Sequence, residues 1–451
     1  MTEQQLYLKS IERDPTNSRS YHYLALTLSI GESIILNDGQ SMTKQQLFLK
    51  SIECDPINSN SYFNLANTLS SGESITLHNG QSMTKQQLYL KSIERDPTNS
   101  RSYINLAITL SSGESITLHN GQSMTEQQLY LKSIECDPID SNSYFNLATT
   151  LSRGESITLH NGQSMTQQQL YLKSIECDQA DYRPYYNLAL TLSISESITL
   201  HNGQSMTEQQ LYLKSIECDP TNSRSYHYLA TTLSSGESIT LHNGQSMTKQ
   251  QLYLKSIVYD PTYSSSYNNL ANTLSVGESI TLHNGQSMTK QQLYLKSIEC
   301  DPKNYKPYYN LGMTFNNGLR MIKQQLLLES LRLGHPLTLV YREIGLTLSN
   351  NKQAITLPDG EQMTRRQLLK KSRLQPFVKD PVDALSAIQG NSTIMILIAL
   401  GVSSNTGVSS NTSGGSSTSG GSNTYRWLIE ILLEWCISIL SLIGPTFLKA
   451  N

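Results

Sequence analysis

The chain repeats itself every 41 residues: the segment from Met83 to Ser123, MTKQQLYLKSIERDPTNSRSYINLAITLSSGESITLHNGQS, recurs with small changes from starts at Met1, Met42, Met124, Met165, Met206, Met247 and Met288. No copy slips by a residue. A unit of this size cannot close a core alone, so neighbouring copies must bury one another's apolar faces, which is the signature of a solenoid. The 451 residues therefore make one long array with an appendage.

Within the segment the elements can be read locally. Thr84-Lys85-Gln86-Gln87 is a capping box: the threonine hydroxyl accepts from an orphan helix N–H and the glutamine reaches back, so a helix starts there. Met83 and Leu88 are placed as a hydrophobic staple, Leu88, Leu90, Ser92 and Ile93 carry an apolar or small face, and Pro97 ends the helix. Asn99 is a good N-cap for a second helix, with Tyr103, Leu106, Ala107 and Leu110 at i, i+3, i+4 and i+7. The short connection makes the two helices antiparallel, and Ser92 and Ala107 let their backbones approach. The stretch Ile116-Thr117-Leu118-His119-Asn120-Gly121 reads as a short β-hairpin, with Asn-Gly as the two positive-φ residues of a type I′ turn, or else as an ordered loop. An isolated ribbon is marginal in water, so it must lean on the helices or on the next copy's hairpin.

On these residues the unit resembles a tetratricopeptide repeat. Tyr103, Leu106, Ala107 and Leu110 fall at the aromatic, leucine, small and large positions of that family's first helix, and Tyr89, Ser92 and Asp96-Pro97 match the second helix of the preceding unit. The resemblance covers most of residues 1–350. It implies an all-α fold, an α-solenoid of stacked antiparallel helix pairs wound as a tetratricopeptide-like superhelix, here with short β-hairpin inserts at the edge. Two departures stand out. The family period is 34, so each 41-residue unit carries seven more, and the hairpin lies where these would enter, between first and second helix. A small residue usual early in the second helix is Lys or Gln here, as at Lys85.

One copy dispenses with the insert. From Tyr308 the chain runs through NNGLRMIKQQ with no ITLHNG, and Met321 follows Met288 by 33 residues, close to the ordinary period. The hairpin is therefore expected to be a detachable loop outside the core. The ninth unit is degenerate, as terminal repeats tend to be, but keeps Tyr341, Ile344, Gly345, Leu348 and an Asp359-Gly360 hairpin. The helix after it, with Arg365, Arg366, Lys370, Lys371 and Arg373, reads as a solvated cap or as a basic patch for anionic lipid or an acidic partner. The expected boundaries are an array of about nine units at 1–375, a C-terminal cap or irregular segment at 376–402, a Ser/Gly-rich flexible linker at 403–424 and an apolar C-terminal helix at 425–451. That helix has one polar stripe, Arg426, Glu430, Glu434, Ser438 and Ser441. Three roles stay open for it: docking on protein, membrane contact through 425–443, or spanning as a tail anchor, which its two glutamates make costly.

Composition removes several function classes. Lys plus Arg is 34 against 36 for Asp plus Glu, a net charge of -2, so no whole-chain field favours nucleic acid. The chain opens straight into a repeat without a secretory pattern, and a cytoplasmic or nuclear location is expected. Cys54, Cys136, Cys177, Cys218 and Cys300 share one repeat position, too far apart for disulfides, and read as free thiols. His78, His119, His160, His201, His242 and His283 recur one per unit, so none meets a second ligand and no metal is expected. The chain contains no phosphate-binding glycine loop, HExxH, CxxC or GxSxG, so neither catalysis nor a cofactor is expected.

What remains is a long face of first helices. One position on it carries Asn64, Asn105, Asn146, Asn187, Asn269 and Asn310, interrupted by Tyr23 and Tyr228. The resemblance implies that this position faces a concave groove, and in the arrays of O-linked N-acetylglucosamine transferases a matching Asn ladder holds the backbone of an extended peptide. A side-chain amide donates and accepts, so it can pair with any peptide unit. The blander alternative is a polar, solvated helix residue copied by duplication. Arg19, Arg101, Arg183, Arg224 and Lys306 occupy another groove position and favour acidic ligands. The two-carboxylate clamp of chaperone-binding relatives is incomplete, since no Lys or Arg stands at its first-helix partner position in units one to eight. The reading is a non-catalytic protein–protein interaction scaffold that binds an extended peptide or partner protein in this groove. The alternatives are a membrane-associated adaptor held by the C-terminal helix, and an accessory array related to an O-linked N-acetylglucosamine transferase without its catalytic domain.

Overall fold

The structure is a computed structural model and describes residues 1–193, 195–315, 319–335 and 339–373. The expected cap segment, linker and C-terminal helix lie outside the described residues. Among those described are nineteen α-helices and eight two-stranded antiparallel hairpins. A lone helix, Glu3–Arg13, precedes nine units, each with a helix A and a helix B. In unit 3, helix A is Ser100–Ile108, the strands are Ser115–Thr117 and Ser123–Thr125, and helix B is Glu126–Cys136. Unit 8 (helix A Tyr305–Thr314, helix B Arg320–Arg332) has no hairpin among the described residues, and unit 9 (helix A Leu339–Thr347, helix B Arg365–Lys371) has one at Ala354–Thr356 and Gln362–Thr364. This is the α-solenoid the period called for.

The helix ends are set by their own side chains. Thr84 and Gln87 close the capping box on helix B of unit 2 (Lys85–Arg95), and that helix stops at Asp96, whose extended backbone still donates to Ser92 O. Asp96 Oδ1 then accepts from Thr98 N at 3.0 Å and Thr98 Oγ1 at 2.7 Å, and Asn99 opens the next helix by accepting from Ser102 N. Tyr103, buried in the fold, donates its hydroxyl to Pro97 O at 3.1 Å, which satisfies the one polar atom of that ring.

Tyr103, Leu106 and Ala107 from helix A and Leu88, Tyr89 and Ile93 from helix B are all buried, and their equivalents join into one cluster running from Ile11 to Phe315. Each such leucine contributes about 1.5–3 kcal/mol by leaving water. The serines do the close packing. Ser92 Oγ donates to Ser59 O within unit 2 at 2.9 Å and pairs with Ser102 Oγ across the boundary to unit 3 at 2.8 Å, so the hydroxyls buried at the helix crossing are satisfied.

The insert is a hairpin in register Ser115↔Thr125, Ile116↔Met124, Thr117↔Ser123, and each hairpin is a separate two-stranded sheet that does not pair with the next. Two expectations about it are overturned. The turn is not type I′, because Gly121 has positive φ (81°) and Asn120 does not. Leu118 N donates to Gln122 O at 2.8 Å and Gly121 N to Leu118 O at 2.9 Å, enclosing a three-residue loop, the pattern of a type I turn closed by a left-handed glycine. Nor is the insert a detachable loop outside the core. Leu118 and Met124 are only 7% and 6% exposed and belong to the main cluster, and Thr125, next along the strand, caps helix B.

Candidate functional site

Helix A has one buried face and one partly open stripe. In unit 1 (helix A Ser18–Leu26) Tyr21, Leu24 and Ala25 are buried, while positions 19, 22, 23 and 26, spaced i, i+3, i+4 and i+7, form a second stripe in which Arg19, Tyr23 and Leu26 are exposed and His22 is buried. The buried face is copied almost unchanged from unit to unit. The stripe is where the copies diverge: the residue at the place of His22 is Phe63, Ile104, Phe145, Tyr186, His227, Asn268 and Tyr309 in turn. The sequence reading passed over this position because it follows a residue that is nearly constant. Its variability against an otherwise duplicated background was the available signal.

The six asparagines of the stripe are all half-buried. They do not form an unbroken row of free amides. Asn64 Nδ2 lies 3.5 Å from His22 Nε2, Asn269 Nδ2 lies 3.4 Å from His227 Nε2, Asn310 Nδ2 donates to Asn268 Oδ1 at 2.9 Å, and Asn187 Nδ2 donates to the backbone of Arg183 at 3.0 Å. Asn105 and Asn146 make no side-chain hydrogen bond among the described residues. The cations divide as well. Arg183 is clasped by Asp181 at 2.7 Å and Asn142 at 2.6 Å and stacks over the Phe145 ring at 4.8 Å. Arg19, Arg101, Arg224 and Lys306 are exposed and form no ion pair with the described residues.

Between units 4 and 6 the stripe deepens. A cavity of about 410 Å³ is lined by Phe145, Arg183, Tyr186, Asn187 and Arg224, with Asp219 and Asp260 on its wall. Beside it the rings of Tyr186, Tyr212 and Tyr228 pack with centroids 5.6–6.1 Å apart. His227 is walled by Tyr228, Tyr253 and Tyr263, its Nδ1 is 2.9 Å from Ser266 Oγ, and burial pushes its pKa down to about 3. The ring is therefore neutral, and the Asn269 donor on Nε2 makes Nδ1 the protonated nitrogen.

The tetratricopeptide repeat model matches the sequence at residues 6–46, 47–87, 88–128, 129–169, 170–210, 211–251, 252–292 and 293–327, eight consecutive repeats. The chain belongs to the tetratricopeptide repeat family. No curated protein matches its sequence. Among solved structures it is similar to the APC/C hetero-tetramer Cut9–Hcn1, at 13% identity and a TM-score of 0.41 over 76% of this chain and 58% of that one. It is also similar to yeast Tom70, at 12% identity and a TM-score of 0.33 over 76% of this chain and 77% of that one. The chain thus spans little more than half the length of the first of these.

The departure from the usual tetratricopeptide packing has a plain cause. Lys85 Nζ reaches back to Leu69 O at 3.1 Å, and Lys44, Lys249 and Lys290 reach the matching carbonyls at 2.7, 2.8 and 2.9 Å. A cation on the orphan carbonyls at the end of helix A does work that a small residue cannot. The hairpin histidines are exposed as expected, and five sit beside a glutamate of helix B, as His78 Nε2 does at 2.8 Å from Glu53. Among the described residues no group of His, Cys, Asp and Glu could hold a metal ion, and no helix is long and apolar enough to cross a membrane.

Proposed function

We propose that this chain is a non-catalytic interaction scaffold that holds an extended peptide, or an extended segment of a partner protein, along the stripe of its A helices. The observation that carries this is the pair Asn105 and Asn146: two half-buried amides in adjacent units, without side-chain hydrogen-bond partners among the described residues, within a stripe whose neighbours vary from copy to copy. Such amides pair with backbone irrespective of sequence, while the varying residues beside them choose among side chains. Exposed Arg19, Arg101, Arg224 and Lys306 add a preference for acidic residues. The cavity at Phe145, Tyr186 and Arg224 is the place for a larger side chain.

The test is capture of a binding peptide on the full chain from a random-sequence display library, followed by titration. Asn105→Ala with Asn146→Ala should weaken binding by about 1–3 kcal/mol, two hydrogen bonds of about 0.5–1.5 kcal/mol each, for every peptide captured. Arg101→Ala with Arg224→Ala should weaken only acidic ones. Equal affinities for wild type and the asparagine pair would remove the ladder from the function.

A further inference from the structure

We infer that the hairpin tips Asn79, Asn120, Asn161, Asn202, Asn243 and Asn284 are deamidation sites guarded by the closed hairpin, and that Asn202 is the first to react. All six are exposed and each is followed by glycine, which has no side chain to hinder attack by its own nitrogen. In the reaction the glycine backbone nitrogen attacks Asn Cγ, closing a five-membered imide and expelling the side-chain nitrogen as ammonia. Water then opens the imide at either carbonyl to give aspartate or isoaspartate.

The closed turn opposes the first step. The attacking nitrogen is tied up, as Gly121 N is to Leu118 O at 2.9 Å, and the target side chain is held, as Asn120 Oδ1 is by Gln122 N at 3.0 Å. The same two bonds recur at every tip, so at each one the reaction waits on hairpin opening. The products then part ways. Units 1 and 9 already carry aspartate at this position, and Asp38 and Asp359 accept from the residue two along at 2.9 and 3.0 Å, so the turn holds a carboxylate. Isoaspartate adds a methylene to the backbone and cannot keep the strand register that carries Leu and Met into the core.

The hairpins are not equally secure. Among the six hairpins tipped by Asn-Gly, the turn that leads into the first strand has a left-handed glycine, Gly72, Gly113, Gly154, Gly236 or Gly277, in five, and in unit 5 Ser195 takes φ 67° in its place. A residue with a Cβ is strained there, and opening releases the strain. The strand it feeds, Ser197–Thr199, belongs to the hairpin tipped by Asn202.

The experiment is incubation of the full chain at neutral pH, folded and in denaturant, with tryptic mapping by mass spectrometry; each of the six tips falls in a peptide of different sequence. All six should react several-fold more slowly in the folded chain than in denaturant. Asn202 should lead the other five by about fivefold, the ratio corresponding to about 1 kcal/mol of released strain. Ser195→Gly should bring Asn202 back among the others. Equal rates in folded and denatured chain would overturn the guarding, and an Asn202 that neither leads nor responds to Ser195→Gly would overturn the ranking.

Discussion

Units 3 and 8 are built on the same pair of helices and differ by one hairpin. In unit 3 the hairpin brings Leu118 and Met124 into the core and sets Thr125 as the cap of helix B. In unit 8 the equivalent methionine, Met321, is 75% exposed, and Leu319 at the head of helix B offers no side-chain cap. The main buried cluster ends at Phe315, and a separate one, Leu327 to Leu368, serves the last two units. The insert thus supplies two core side chains and a helix cap to every unit that has it, and the unit without it gives up all three.

The sharpest way to break this comparison is to empty the hairpin's place in the core. Leu118→Ala should cost about 2–5 kcal/mol in local stability, read by hydrogen exchange across helix B of unit 3, while Met321→Ala should cost less than about 0.5 kcal/mol. Hydrogen exchange is the proper readout because a repeat array need not melt as one unit. If the two substitutions cost the same, the hairpin is decoration after all.

Acid tests both regions through buried histidines. His227 lies in the hairpin-bearing part and is pushed down to about 3, and His335, against Tyr305 and Tyr309 at the start of unit 9, is pushed down to about 4, both by burial. The sign follows directly. Below the ordinary value of about 6.5 the unfolded chain binds protons that the folded chain refuses, so stability is full above that pH and is lost as pH falls towards the folded values. Between pH 7 and 4 the His227 contribution to this loss is about 3 kcal/mol. His227→Phe, the residue units 2 and 4 use there, should remove that part of the acid dependence in urea titrations and leave the exchange around Leu327 as acid-sensitive as before. An unchanged pH dependence in the variant would place the loss elsewhere.

The caps separate the two regions by a smaller step. Thr125→Ala gives unit 3 the uncapped start that unit 8 already has, and should cost about 1 kcal/mol in exchange at the head of helix B. The hairpin's ion pairs should matter least. His119 Nδ1 stands 3.8 Å from Glu94 and is 71% exposed, and His119→Ala should change stability by less than about 0.5 kcal/mol in the same measurement. Unit 7 supports this from inside the molecule: the residue equivalent to Glu94 is Val258, yet its strands pair in the usual register.

Much of the fold was legible in the residues because the signals are local and repeated. The capping box at Thr84, the Asn99 cap, the Asp96-Pro97 stop and the spacing of Tyr103, Leu106 and Ala107 each act within a few residues of themselves, and the structure places them as read. The hairpin was legible as a hairpin, but its turn type was not. Asn-Gly fits two turns equally well, and the strand register, set by where Leu118 and Met124 must point, decided between them.

The candidate site was legible as a row and illegible as a set of contacts. The 41-residue period by itself determined that the asparagines recur on one face of successive helices, since a helix fixes the direction of every side chain relative to its neighbours in sequence. Asn187 turns back on its own helix, to the Arg183 backbone, but whether the other amides are engaged depends on residues about one unit away. His22 engages Asn64, His227 engages Asn269, Asn268 engages Asn310, and Asn105 and Asn146 are left open by the described residues. The same holds for the insert. Local propensity made the strands, but only the packing of one unit on the next decided that Leu118 is core, because burial is a property of the surroundings and the surroundings are supplied by another copy.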